Sequence, residues 1–303
     1  MGSENTAIQL ACLLILLVGF ILILERITQK QSKFYYQTNT KQKPLTMPKL
    51  STRVAIYISC FVPFFLGFLI PLIYILNNSI QQFIMVDFSR LFALSFNSIK
   101  VSFIASVFII LIALFFLYVE KISKIKLNTI ITNITSLGYV IPGAVIGLAV
   151  ILLFTQFPLF NNHLFVGSFF VLIYAYVFRF LAVGKSPIKS SLDKQPKAFE
   201  DTSKVLGVSS FKALRAIHLP LNKMALVIAF IVTFIDLLKE LPITLILRPF
   251  NFDTLATQTY EFAVEEMLKA SSIYSLMIII IGSVLLILLK YITNRQIHAF
   301  RSF

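Results

Sequence analysis

Three ionisable residues interrupt an otherwise apolar run, Met224–Leu247: Asp236, Lys239 and Glu240, followed by Pro242. Facing lipid at the bilayer centre, each ionised group would cost roughly 2.5–3.5 kcal/mol on insertion scales. They must therefore face protein or a wet cavity. Asp236 lies three residues before Lys239 and four before Glu240, so on one helix the three share a broad face and Asp236 can pair with Lys239. Pro242 has no N–H for the carbonyl of Leu238, so the helix kinks or breaks there. A broken helix with charge beside it can line a transport pathway. The same residues could instead form an internal ion pair that only locks helices together, and both uses can coexist. Arg248, just past the run, completes the pathway candidates.

The second stretch with chemical potential is Lys185–Lys223, which carries eight basic residues. Pro196 suits the first position of a helix. Ala198, Phe199, Thr202, Val205 and Leu206 recur at helical spacing, leaving Glu200, Asp201 and Lys204 mostly on another face. Gly207 fits the position just past a helix end, where a left-handed backbone disfavours any residue with a Cβ. Ser209 or Ser210 can cap a second helix bearing Phe211, Leu214 and Ile217. Pro220 marks entry to the next apolar run. These signals predict a helix–Gly–helix knob with an apolar stripe, suited to gripping a soluble partner.

The elements that must position these residues follow from composition. Of 303 residues, 58% are hydrophobic and 13% charged, where a soluble domain carries about a quarter charged. Backbone groups in lipid must be satisfied internally, and apolar runs of this length predict helices rather than barrel strands. Spans are expected at Thr6–Leu24, Val54–Leu76, Ile99–Val119, Leu137–Phe154, Leu164–Val183, Met224–Leu247 and Ile273–Lys290. The chain has 27 Lys and Arg and a net charge of +14. Segments 25–53, 120–136, 184–223 and 290–303 hold seven, three, eight and three of those 27. The positive-inside rule then puts these four segments in the cytoplasm. The expected fold is an all-α integral membrane protein with seven transmembrane helices, N-terminus outside and C-terminus inside. The basic charge is accounted for by cytoplasmic loops against a lipid bilayer, with no need for nucleic acid.

Other chemistries find no pattern. Gly-x-x-x-x-Gly-Lys-Ser/Thr does not occur, so the chain has no P-loop with which to hydrolyse nucleotide. His163, His218 and His298 show no paired ligand spacing, and Cys12 and Cys60 fall inside apolar runs, so neither a metal site nor a catalytic centre is expected. His218 reads as a packing or docking residue.

With these residues in place, the chain resembles permeases of type I ABC importers. That class carries a cytoplasmic signature of Glu-Ala-Ala, three residues, Gly, nine residues, Ile, one residue, Leu-Pro. Gly207, Ile217, Leu219 and Pro220 stand at this spacing. The Glu-Ala-Ala element is replaced by Asp201-Thr202-Ser203 with Glu200 just before it, a departure that keeps an acid and two small residues. Three further runs look like permeases of ferric-iron importers: Gly138-Tyr139-Val140-Ile141-Pro142-Gly143, Arg179-Phe180-Leu181-Ala182-Val183, and Asp236 to Pro242 followed by Leu247 to Ala256. Branches for thiamine, phosphonate or sulfate share the loop signature. From outside this class, an ion-coupled secondary transporter using Asp236, Lys239 and Glu240 is the rival reading.

The resemblance implies a membrane subunit rather than an enzyme. The loop from Glu200 through Pro220 would couple to separate ABC ATPase subunits, which use the ATP, with no cofactor bound by this chain. A periplasmic or extracellular solute-binding protein would deliver cargo to a multi-pass permease in the bacterial cytoplasmic (inner) membrane. Family members of this branch hold two six-helix halves. Here residues 1–24 would be the last helix of a first half and 25–53 a basic cytoplasmic linker. Residues 54–303 would form one six-helix type I (MetI-like) permease domain, with its coupling loop at 184–223. A second permease half, from another chain or by self-association, is then required.

Overall fold

The computed structural model describes residues 49–123, 126–156, 167–195 and 198–301, with scattered helical positions between 9 and 24. Among them every regular element is helical. The expected first span Thr6–Leu24 is described only at those scattered positions, the linker Glu25–Arg53 lies outside the described residues except at 49–53, and Pro196 lies outside them altogether.

Helix α1 runs Leu50–Met85 as one rod. It widens into a π turn at Phe65–Leu69, directly before Pro71, which cannot donate a backbone hydrogen bond and whose ring would strike the carbonyl four residues back. Along α1 almost every apolar side chain is exposed and only Asn78 and Ser79 are buried. That surface would be untenable in water and is ordinary against hydrocarbon. The second half of α1 leans on α11, Leu268–Arg301.

Three helices form the centre: α2 (Phe88–Ser123), α5 (Phe169–Asp193) and α8 (Lys223–Leu238), each packed on the other two. On α2 the buried face reads Val101, Ala105, Ile109, Ala113, Leu117, a four-residue repeat that lays one stripe against Leu172, Ala175, Tyr176 and Ile188 of α5 and Ala229 of α8. α3 (Lys126–Ile134) and α4 (Gly143–Gln156) flank this centre, joined by a 3-10 turn at Leu137–Tyr139. Around the remaining sides come α6 (Ala198–Val205), α7 (Ser210–Leu221), α9 (Pro242–Leu247) and α10 (Leu255–Val264).

Among the described residues four helices are long and apolar enough to cross a membrane, or six if each of two bent pairs is one span. Two of the expected spans are divided by helix breaks. Leu137–Phe154 is not one helix: the chain turns by 112° between Ile130–Tyr139 and Gly143–Gln156, because Pro142 stops a helix arriving from its N-terminal side and suits one starting after it. Met224–Leu247 is likewise two helices. α8 ends at Leu238 and Pro242 opens α9, so of the kink or break expected at this proline the structure has the break. Glu240 therefore leaves the helical face it was expected to share with Asp236 and Lys239. The segment 184–223, expected to be the coupling loop, begins as helix, since α5 continues to Asp193. Charged residues there do not stop the helix.

Candidate functional site

At one end of the bundle, α6 and α7 form the helix–Gly–helix knob. Gly207 has φ +64°, and the N–H of Val208 bonds the carbonyl of Ser203 at 2.9 Å. This is the closing bond of a Schellman turn, which a left-handed glycine makes possible. Ser209 caps α7, accepting from the N–H of Lys212 at 3.4 Å. The knob has two sides. Ser203, Ala213 and His218 are buried, whereas Val205, Leu206 and Phe211 stand out at 86%, 71% and 73% exposure. Thr202 and Pro220 are exposed and Ile217 and Leu219 half-buried. The side chains of Glu200 and Asp201 lie outside the described residues. A π turn at Leu214–His218 again precedes a proline, Pro220, and the chain then bends by 73° into α8 at the buried Asn222.

The charged break lies where α8 gives way to α9. Asp236 and Lys239 pair at 3.0 Å, with Lys239 largely exposed. Glu240 turns the other way. Its carboxylate accepts from Arg179 of α5 at 3.1 Å and from the N–H of Ile243 at 3.2 Å, satisfying one of the free N–H groups that open α9. Thr244 donates to the carbonyl of Glu240 at 2.7 Å and meets the Tyr176 hydroxyl at 2.5 Å. Tyr176 and Arg179 are one turn apart on α5, so the unwound segment is fastened to that helix at two heights. Arg179 also lies over the Phe180 ring, 5.5 Å from its centroid. Gly143, the first residue of α4, abuts the pair. A Cβ there would overlap the Arg179 guanidinium and come within 2.8 Å of the Glu240 carboxylate. Both chain breaks, before α4 and before α9, thus converge on one ion pair.

At the opposite end, Arg248 donates to both Asp253 and Glu261, the latter at 2.7 Å, and Asn97 of α2 donates to the carbonyl of Asp253 at 3.1 Å. Thr254 and Thr257 form a capping box for α10. These bonds hold the loop from Arg248 to Thr254 as a fixed turn, with Asn251 left-handed at φ 59°.

The structure therefore separates the five pathway candidates into three places. Asp236 and Lys239 form one pair, Glu240 and Pro242 frame the break, and Arg248 sits in the loop beyond. Sequence reasoning missed the partner of Glu240. A lone arginine in the apolar run of α5 was the available signal, because a buried cation requires a counter-charge as much as Glu240 does. Tyr118 and Gln195, which contact the inner side of the knob, and Lys121, which bonds Gln195, carried no comparable signal.

Residues 122–298 match the family described as binding-protein-dependent transport system inner membrane component. The chain is 26% identical over 204 residues to the Fe(3+)-transport system permease protein FbpB 2 of Haemophilus influenzae. That alignment covers 67% of this chain and 40% of the relative, so the chain spans well under half of the curated relative's length. Among solved structures, it superposes on a chain of a bacterial alginate ABC transporter in complex with an alginate pentasaccharide-bound periplasmic protein. There the TM-score is 0.66 and the identity 14%, with 81% of this chain and 94% of that chain covered. A second structure, of a bacterial ABC transporter involved in import of the acidic polysaccharide alginate, gives a TM-score of 0.64 at 12% identity, covering 81% and 96%. At these identities the two structures speak for the fold.

Proposed function

Because this chain belongs to the binding-protein-dependent transport system inner membrane component family, the permeases of type I ABC importers, we propose that it forms one membrane half of an ATP-driven importer whose cargo is ferric iron. The observation that carries the coupling is the two-sided knob. Its inner side is buried on the bundle, while Val205, Leu206 and Phe211 stand outward around a rigid glycine turn. Burying such side chains stabilises a complex by roughly 1.5–3 kcal/mol each, and a groove on a separate ATPase subunit is the surface this reading assigns to them. Iron as cargo is supported by the ferric-iron-type runs around Gly138, Arg179 and Asp236, and by the likeness to FbpB 2.

In this reading residues 54–303 are one six-helix half, preceded by an extra helix at 1–24 and a basic linker at 25–53. The knob and the basic segments face the cytoplasm, and the N-terminus lies outside. A second half completes the pathway, and a binding protein delivers cargo at the end that carries Arg248. ATP binding draws paired knobs together, and the halves alternate between outward and inward openings by a shift in population. The Arg179–Glu240 pair sits where two broken helices meet α5, so we assign it the part of holding the pathway wall in one state. Asp236 and Lys239, with Lys239 exposed, are the groups assigned to the pathway itself.

The test is a pull-down in mild detergent followed by mass spectrometry, then uptake of labelled iron by the recovered complex in proteoliposomes. An ATPase subunit and a second permease half should co-purify, and uptake should require ATP and persist when the proton gradient is collapsed. Recovery of neither partner, or uptake that follows the gradient without ATP, would sink the proposal. Competition of iron uptake by thiamine, phosphonate or sulfate would reassign the cargo.

A further inference from the structure

If force enters at the exposed side of the knob, it must leave through whatever fastens the inner side. The chain itself connects the knob to α5 and α8 at its ends, but the structure adds a third connection, from a helix not adjacent in sequence. Tyr118 and Lys121 stand one turn apart at the end of α2. The Tyr118 hydroxyl donates to the carbonyl of Ser210, the first residue of α7, and its ring meets the His218 ring edge-on at 5.9 Å. Lys121 donates to the carbonyl of Leu192, near the end of α5, at 3.4 Å and to Gln195 Oε1 at 3.2 Å. The same Gln195 oxygen lies 2.8 Å from Nδ1 of His218. A carboxamide oxygen can only accept, so His218 carries a proton on Nδ1 here. Finally, Asn222, buried at the 73° bend into α8, donates to the carbonyl of His218 at 2.6 Å.

We propose that Tyr118, Gln195 and His218 are positioning residues that clamp the knob to α2 and α5, so that its displacement by the ATPase subunit moves those helices rather than only the loop. This rests on the coupling role proposed above. The geometry argues for rigid transmission. His218 is buried to 4% exposure and touches groups from α2, from the end of α5 and from the bend into α8. Gln195 is the hub, with one acceptor atom shared between α2 and α7. The ion pair of Glu120 and Lys189 at 3.7 Å joins α2 to α5 beside it, so the two helices receive the motion together.

The experiment uses the complex co-purified with its ATPase subunits and second half, reconstituted in proteoliposomes, and reads three quantities: ATPase-subunit capture, ATP hydrolysis, and iron transported per ATP hydrolysed. Gln195→Ala removes the hub and Tyr118→Phe removes only one hydroxyl. Each should leave capture within about twofold of wild type and lower transport per ATP roughly two- to tenfold, the scale of lost hydrogen bonds. Gln195→Glu keeps the acceptor and should restore the ratio. Phe211→Glu, on the outward side, should abolish capture. A transport-to-hydrolysis ratio unchanged in both clamp variants, with Phe211→Glu losing capture, overturns the clamp and leaves the coupling role standing. Loss of capture in Tyr118→Phe also overturns it, since these residues would then shape the docking surface itself. Retained capture in Phe211→Glu overturns the coupling role. Should Gln195→Ala fail to fold, Tyr118→Phe alone decides, because a single hydroxyl is removed from a half-buried side chain without loss of the ring.

Discussion

Replacing Gly207 separates the cost of a backbone conformation from the cost of a lost contact. The residue sits at φ +64°, and a Cβ built there meets nothing within 4 Å. A substitution therefore creates no steric conflict with neighbours, and the whole penalty is conformational. For an L-residue in the left-handed region that penalty is about 1–2 kcal/mol, which corresponds to a factor of roughly 5–30 in the balance between the native turn and its alternatives. Asn tolerates this region several-fold better than most residues, whereas a β-branched residue at positive φ is an outlier. Losing the turn also frees the bond from Val208 to Ser203 that closes α6. The expected order of ATPase-subunit affinity is Gly, then Asn close behind, then Ala lower by roughly 5–30-fold, and Val lowest. Transport should follow the same order. Because no side chain of the bundle touches this position, thermal melting of the permease in detergent should be unchanged throughout. Normal capture and uptake in Gly207→Val would refute the reasoning, and so would a Val variant whose bundle melts early, since that would mean the turn is a folding element and not an independent knob.

Gly143→Ala should act through the tips of Arg179 and Glu240, which a Cβ there would displace. Overpacking of this kind costs roughly 1–3 kcal/mol, read as a lower melting temperature together with reduced uptake. Glu240→Gln should destabilise by roughly 3–5 kcal/mol by leaving the Arg179 charge without its counter-ion. Arg179→Gln combined with Glu240→Gln should recover most of that loss, and a double-mutant cycle of melting curves checks it. Arg248→Gln removes two ion pairs whose side chains are a quarter to a third exposed, so stability should fall by no more than about 1 kcal/mol per pair. A larger loss would show that the loop it braces is needed to fold the bundle.

Much of the candidate site was legible because its signals are local. Gly207, Ser209 and Pro220 act on the backbone within one or two residues, so the knob's turn, cap and exit follow from residue type and spacing. The Asp236–Lys239 pair is equally local, three residues apart on one helix. Glu240 was assigned to that same face because the helix was expected to run as far as Pro242, whereas it ends at Leu238, before Glu240. The direction Glu240 takes beyond the break was not legible, because its partner Arg179 lies 61 positions from it in sequence. The reach of α5 to Asp193 was missed because charged residues report an environment and do not by themselves stop a helix.

By itself, then, the amino-acid sequence determined that this chain lives in a membrane, which segments are apolar enough to cross it, and where the knob turns. Those properties are set by transfer free energies and by backbone preferences, both of which act residue by residue. Only the tertiary structure decided which charges pair, that two broken helices meet on Arg179 and Glu240, and that the end of α2 holds the knob through Tyr118, Lys121 and Gln195. A buried charge demands a partner but does not name one, and that choice is made when helices distant in sequence close to within hydrogen-bonding reach.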